Sequence, residues 1–358
     1  MHLRFIGVRG ASLRVTRAQF GKLDRFAFDD SLIHPITDFP LVESATGAQC
    51  SGQIVGLPTM PGPMLNNQEE AVKMMAKAVE KYGEGSDLVG LGALCAIVGL
   101  RGRALEQTIT KPVTTGNSLT CWAAIETTAK LMRSFEPCPN FTRRILVVGL
   151  PGTMAMAAIG VMAQRGMPVE VFHPSFPKSV ERKIAALEAE TGRQIPRHTD
   201  LDRALLKRGI VVGAGSVGGD LASARLQPGT VVVDVAQPLD TSPQQRSRDD
   251  LLIVEGEMLS LPSKSGTKNR SFWSNLYNLV VGQADERVFA CLAEPMVLCL
   301  EGRAEGFSIG RNLDVGKVEE IGTIAVKHGF GVRDLFRGRQ RLDIENMRRF
   351  ANIKWLDL

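Results

Sequence analysis

Between residues 141 and 260 the apolar and polar positions change period in regular alternation. Ile145 to Gly149 is a β-branched and leucine run, Gly152 to Arg165 is helical, Val169 to His173 is a second run, and Val180 to Glu190 is a charged amphipathic helix. Further strand-like runs follow at Ile210 to Gly213, Val231 to Val235 and Leu251 to Val254. Strands alternating with helices at this spacing predict a parallel sheet with right-handed crossovers. Upstream, Ala71, Met74, Met75, Ala78 and Val79 recur at helical spacing and predict a helix over 67–82. Leu88 to Cys95 reads as a strand running into a glycine-rich turn, and Leu119 to Met132 is helical again. The proline-rich run Leu57 to Met64 reads as a loop, and residues 1–55 are irregular.

This pattern predicts an α/β protein in three parts. A central doubly wound, Rossmann-like parallel sheet occupies 141–260. An N-terminal α/β domain over 1–140 faces substrate or carrier, and a mainly helical C-terminal region over 261–358 ends in a basic tail. A chain of 358 residues suits more than one core. Its composition, 44% hydrophobic and 23% charged, is that of a globular protein rather than a disordered or membrane one. No apolar run reaches the roughly 18 residues that span a bilayer, and Met1 to Phe5 lacks a signal-peptide core. The six cysteines form no CxxC pair and no Cys/His metal spacing, so the expectation is a reduced, cytoplasmic protein without disulfides or a metal. The formal charge of +5 is mild, and aromatic residues (6%) do not interleave with basic ones, which argues against nucleic acid. Arg333, Arg337, Arg339, Arg341, Arg348 and Arg349 make the tail basic: a solvated face, or one that meets an acidic partner.

The strand at Ile145 runs into Gly149-Leu150-Pro151-Gly152-Thr153-Met154-Ala155. This G-x-x-G-x-x-A departs from G-x-G-x-x-G, yet it lies after a strand and before a helix, where a phosphate-binding turn belongs. Gly149 would make the tight turn, Gly152 would admit the pyrophosphate beside Thr153, and Ala155 would let helix and strand pack closely. After the second strand an NAD-type site carries an acid for the ribose hydroxyls. Here Glu170 falls inside the strand, while Ser175 and Lys178 follow it and suit a 2′-phosphate, so NADPH is expected over NADH. A glycine loop containing Gly213, Gly215 and Ser216 should border the nicotinamide half of the cofactor.

Cys291 stands in an apolar run, Val288 to Ala293, four residues before Pro295. A thiol is a good nucleophile and leaving group for acyl exchange once ionised; most free cysteines are simply small buried hydrophobes. Proline removes the helical partner of the carbonyl four residues back, which is that of Cys291. Either a helix kinks beside the thiol, or a helix begins near Glu294 with the thiol just ahead of its amino end, where the helix dipole favours a thiolate. Thr114 to Ser118, ahead of a helix, offers caps and free amides.

These strings together resemble the long-chain acyl-[acyl-carrier-protein] reductases, which make fatty aldehydes from thioesters with NADPH. The resemblance runs through Phe289-Ala290-Cys291-Leu292-Ala293-Glu294, Glu301-Gly302, Phe307-Ser308, Gly310-Arg311-Asn312, Glu320-Ile321-Gly322, Val326 to Phe330 and Thr114-Thr115-Gly116-Asn117. It covers roughly residues 85–330 and implies that Cys291 is acylated by the thioester, with hydride from NADPH then releasing the aldehyde. Three departures stand out. Gly116-Asn117-Ser118-Leu119-Thr120 replaces the family's G-N-T-H-T, Pro295 replaces a small residue, and 331–358 is an added tail. Donors for the oxyanion are expected around Thr115, Asn117 and Ser118 and at Arg311-Asn312, with His328 as an acid. The expected substrate is an acyl thioester, linked to a carrier protein or to coenzyme A, with the carrier protein favoured. Two other readings stay open: a non-covalent dehydrogenase acting on an imine or ketone, in which Cys291 only packs, and a non-catalytic NADPH-binding sensor.

Overall fold

The computed structural model describes residues 3–10, 28–57, 59, 61–138, 141–207, 209–215, 218–236, 238–262, 287–337 and 340–351. The chain divides into two compact units, each built from two stretches of sequence: 1–119 with 259–331, and 120–258 with 332–358. The expected division into three consecutive parts therefore differs from the observed one. The Cys291 segment packs with the N-terminal stretch because its apolar helix lies on that stretch's sheet.

In the first unit, strands β1 (Leu3–Gly10), β2 (His34–Glu43), β3 (Gln49–Leu57), β4 (Leu88–Gly92) and β5 (Val113–Thr114) form one sheet, ordered β2-β3-β1-β4-β5. All neighbours are parallel except β2, which runs antiparallel to β3 with register shifts between Pro35 and Thr37 and between Phe39 and Val42. Prolines are tolerated on such an edge strand because no inner ladder needs their missing N–H. The predicted 67–82 helix is present as Gln68–Tyr82. It buries Ala71, Val72, Met74, Met75, Ala78 and Val79 in a core shared with Val55, Leu57, Val89 and Leu91. Of the proline-rich run, Pro61–Asn66 is a short helix rather than loop, with Pro61 at its first position, where a missing N–H costs nothing.

The second unit holds the expected doubly wound sheet. Strands β6 (Ile145–Val148), β7 (Val169–Phe172), β8 (Arg197–His198), β9 (Ile210–Gly213), β10 (Val231–Asp234) and β11 (Leu252–Glu255) lie in the order β11-β10-β9-β6-β7-β8, all parallel. The chain winds outward from β6 to β8, returns, and winds outward again from β9 to β11. The strand order thus reverses between β6 and β9, and at such a reversal a crevice opens at the carboxyl ends of the strands. The helices Thr153–Gln164 and Lys178–Thr191 make the first two crossovers.

The basic tail belongs to the second unit, and several of its arginines are bonded within that unit. Arg337 donates to the carbonyls of Arg246 and Arg248 (3.3 and 2.5 Å), Arg348 to the carbonyl of Ser134 (3.1 Å), and Arg341 pairs with Asp334 at 2.7 Å. Arg339 lies outside the described residues.

Candidate active site

Cys291 is the second residue of the helix Ala290–Leu300, whose cap is Phe289. Every other residue of this helix is buried, whereas Cys291 is half-exposed, and the other five cysteines of the chain are buried. Pro295 lies inside the helix rather than at a break. The helix starts ahead of the thiol, at Ala290 rather than near Glu294, so the thiol occupies the first turn and proline removes the helical partner of its carbonyl. Pro295 is accommodated because β4 presents Gly90 beneath it; a Cβ there would stand 2.7 Å from the proline Cγ.

The loop before the helix Asn117–Phe135 lies directly on Cys291. Gly116 has φ +73°, and a Cβ on it would fall 2.4 Å from Cys291 Cα and 2.5 Å from its carbonyl oxygen. No other residue fits there. Two sets of bonds hold this loop. Thr115 donates its hydroxyl to the Ser308 carbonyl at 2.5 Å, Ser118 N–H donates to Ser308 Oγ at 3.1 Å, and Ser308 Oγ donates to Ser118 Oγ at 2.7 Å. From the other side, Glu294, fully buried and one turn beyond the thiol, accepts from the Thr114 hydroxyl and, at 2.8 Å, from the Leu119 N–H. Burial pushes the Glu294 carboxyl upward, opposed by these donors and by Ser308 and Gly116.

Glu294 was not among the predicted site residues. Its signal was in the sequence: it is the single charge between Val288 and Leu300. A carboxyl in so apolar a helix is buried, and a buried carboxyl must gather donors.

The other predicted residues divide. Asn117 is half-buried at the head of its helix, beside Gly116. Ser118 is buried and its hydroxyl belongs to the Ser308 brace. Arg311 is exposed on the loop that follows Ser308. His328 is not brought to the thiol. It is buried with its Nε2 2.7 Å from Glu301, the residue that ends the same helix, and Lys327 pairs with Glu301 at 2.7 Å. Ten residues of helix at about 1.5 Å each separate that end from Cys291, roughly 15 Å. His328 is a structural histidine, a part its neighbours Glu301 and Lys327 make for it.

In the second unit, Gly149 and the loop after β9 meet where the strand order reverses. Gly149 has φ +116°, and a Cβ on it would lie 2.5 Å from the Ala214 carbonyl carbon and 2.6 Å from the Gly215 nitrogen. Gly152 N–H closes the turn on the Gly149 carbonyl at 2.8 Å and caps the helix that begins at Thr153; Ala155 is buried against the sheet. The Gly215 N–H donates at 2.8 Å to the buried Asp240, whose carboxyl burial pushes up to about 6, so this amide shapes the loop rather than facing a ligand. Ser216 lies outside the described residues. Glu170 is committed to Arg144 and His198 at 2.7 and 2.6 Å, in keeping with its place inside the strand. Ser175 and Lys178 are exposed beyond β7, in a turn whose Ser175 and Phe176 N–H groups donate to His173 Nδ1. A narrow glycine turn leading into a helix amino end, at the reversal of a parallel sheet, fits a dinucleotide.

No known family profile matches the chain. It is 32% identical over 321 residues to the aminotransferase PigE of a Serratia species, covering 88% of this chain and 37% of that protein. It is 28% identical over 156 residues to a long-chain acyl-[acyl-carrier-protein] reductase of Synechococcus elongatus, covering 42% of each. The chain thus spans about two fifths of the length of the curated relatives it matches. Among solved structures, L-tryptophan dehydrogenase from Nostoc punctiforme superposes with a TM-score of 0.31 at 10% identity, over 98% of this chain and 86% of that one. Malic enzyme from Entamoeba histolytica gives 0.34 at 12% identity, over 97% and 73%. These scores are too low to carry an argument. Among the described residues no helix is long and apolar enough to cross a membrane, and no cluster of three or more His, Cys, Asp or Glu could hold a metal.

Proposed function

We infer that this chain is an NADPH-dependent oxidoreductase that converts an acyl thioester to an aldehyde through an acyl group held on Cys291. One observation carries the reading: the chain's half-exposed cysteine sits in the first turn of a buried helix, beneath a glycine loop that a buried carboxyl and Ser308 hold against it. Such a thiol is reachable, lies where the helix dipole favours an anion, and is fixed in place. The similarity to a relative named long-chain acyl-[acyl-carrier-protein] reductase supports the same chemistry.

In this reading the Cys291 thiolate attacks the thioester carbonyl, the donor's thiol departs with a proton, and the acyl group rests on Sγ. Asn117 is the candidate to meet the oxyanion, since the Ser118 and Leu119 amides beside it already donate to Ser308 and Glu294, and an oxyanion gains most from a donor fixed in advance. Gly149, Gly152, Thr153 and Ala155 would hold the cofactor's pyrophosphate and Ser175 and Lys178 its 2′-phosphate; bound NADPH would supply hydride to the acyl carbon. Sγ then leaves as thiolate, the aldehyde is released, and the site is restored. The direct test is Cys291→Ser. Aldehyde formation should fall to background while NADPH binding stays near that of the unaltered chain, because the cofactor turn lies in the other unit. Thioester reduction persisting at near the original rate would replace covalent catalysis with direct hydride transfer.

The PigE similarity favours a second reading, amino-group transfer by this chain itself, though the match covers 37% of that protein. Amine formation from an amino donor and a carbonyl acceptor without NADPH would support it. The thioester reading expects none.

A further inference from the structure

Three arginines lie about Gly310: Arg101 meets it through its backbone carbonyl, Arg103 through its guanidinium, and Arg311 follows it in the chain. The segment Gly99-Leu100-Arg101-Gly102 is one turn of left-handed helix, with φ of +60°, +56°, +58° and +80°. For side-chain-bearing residues such as Leu100 and Arg101 this conformation costs roughly 1–2 kcal/mol each, and strain of this kind is kept where the surroundings or the function require it. The turn fixes the Arg101 carbonyl, which accepts from the Gly310 N–H at 3.0 Å. The Arg103 guanidinium lies over the same glycine; a Cβ on Gly310 would meet its Nη2 at 3.5 Å. Arg311 follows directly. Arg101 is half-buried, and burial together with the neighbouring Arg311 charge holds its guanidinium below the ordinary value.

The charges of Arg101 and Arg103 call for a counter-charge. Among the described residues neither Arg101 nor Arg103 forms an ion pair, and Glu106, on the same short helix as Arg103, lies against Gly306 instead. The turn also touches the thiol's own loop: a Cβ on Gly102 would stand 3.1 Å from the Thr115 methyl and 3.0 Å from Ile309. Thr115 immediately precedes the glycine that lies on Cys291. The arginines and the thiol are thus on two sides of one short, braced loop.

We propose that Arg101, Arg103 and Arg311 form an anion subsite for the phosphate of a phosphopantetheine arm, the group that presents the thiol in both coenzyme A and acyl carrier proteins. The proposal rests on the thioester reading of Cys291 and adds to it how the donor is held: acyl carbon at the thiol, arm across the loop, phosphate among the arginines. Guanidinium groups suit this because their planar forks bind phosphate oxygens two at a time.

The test is calorimetric titration of the full chain with phosphopantetheine and with pantetheine, which lacks the phosphate. The unaltered protein should bind phosphopantetheine at least about tenfold more tightly, and rising salt should erode that preference. In Arg101→Gln/Arg103→Gln, shown by its melting transition to be folded, the preference should disappear. Equal binding of the two ligands by the unaltered protein, or a preference that survives in the folded double variant, overturns the proposal. Should the double variant not fold, Arg103→Gln alone, at an exposed position, should still lose several-fold of the preference, and an unchanged ratio overturns the proposal. Coenzyme A and a carrier protein bearing the arm are titrated in parallel. Loss of affinity for both supports the shared arm phosphate, whereas loss for coenzyme A alone assigns the arginines to its nucleotide phosphates and overturns it. Because binding is read without turnover, failure here leaves acylation of Cys291 untouched, and failure of acylation leaves this result standing.

Discussion

Cys291 and Cys299 lie on one helix and in opposite settings. Cys299, near the carboxyl end, is buried, and desolvation pushes its thiol well up, with Cys50 and Asp87 adding to the effect. Cys50 is itself pushed up to about 12 by burial. Cys291, in the first turn, is half-exposed under Gly116. The acids divide the same way. Glu294, one turn beyond Cys291, is fully buried and spends its oxygens on the backbone and hydroxyls of a loop. Glu301 at the other end is held below the usual carboxylate range, chiefly by Lys327 and then by His328. One end of the helix is arranged around an accessible thiol, and the other is a structural clasp. Identical residue types therefore say little until burial and partners are known.

The largest effect expected from breaking the reactive end is that of Gly116→Ala. A left-handed φ for alanine costs about 1–2 kcal/mol and overpacking against Cys291 about 1–3 more, and a loop shift of about 1 Å can cost 10²-fold in rate. Circular-dichroism melting and aldehyde assays should show both losses. A variant with unaltered rate would mean that the loop does not set the thiol's position.

Next comes Glu294, read as a positioning residue. Glu294→Ala leaves the Leu119 N–H and its neighbours buried without an acceptor, about 1–3 kcal/mol each, and should lower kcat more than it changes KM. Glu294→Gln can still accept from Leu119 while the Thr114 hydroxyl turns to accept, so stability and kcat should largely recover. If the glutamine variant is as inactive as the alanine one, the carboxyl exchanges protons rather than holding the loop.

The parts of the fold legible in the sequence were those with strong local periods. The buried strands β6, β9 and β10 and the helix Gln68–Tyr82 were visible because short β-branched runs and a 3.6-residue repeat each have one reading. The edge strand β2 was not, since Pro35 and Pro40 and its register shifts hide its alternation. Nor was the pairing of 259–331 with the N-terminal stretch, because a helix as apolar as Ala290–Leu300, with Glu294 its one charge, does not announce what covers it. At the site, Cys291 and the Gly149 turn stood out locally. The brace from Ser308 and Glu294 to Thr114–Leu119 spans about 180 residues of sequence and exists only in the fold.

The smallest effect at the clasp end sharpens the same contrast: Cys299→Ser should lose roughly 1 kcal/mol of stability and none of the chemistry. The central claim is tested most directly by intact-protein mass spectrometry and peptide mapping after incubation with acyl-coenzyme A and acyl-carrier donors in the absence of NADPH. The account predicts a single acyl adduct on the peptide containing Cys291, none on that containing Cys299, and release of the adduct as aldehyde when NADPH is added. No adduct from any donor, in protein that still consumes NADPH, would contradict it.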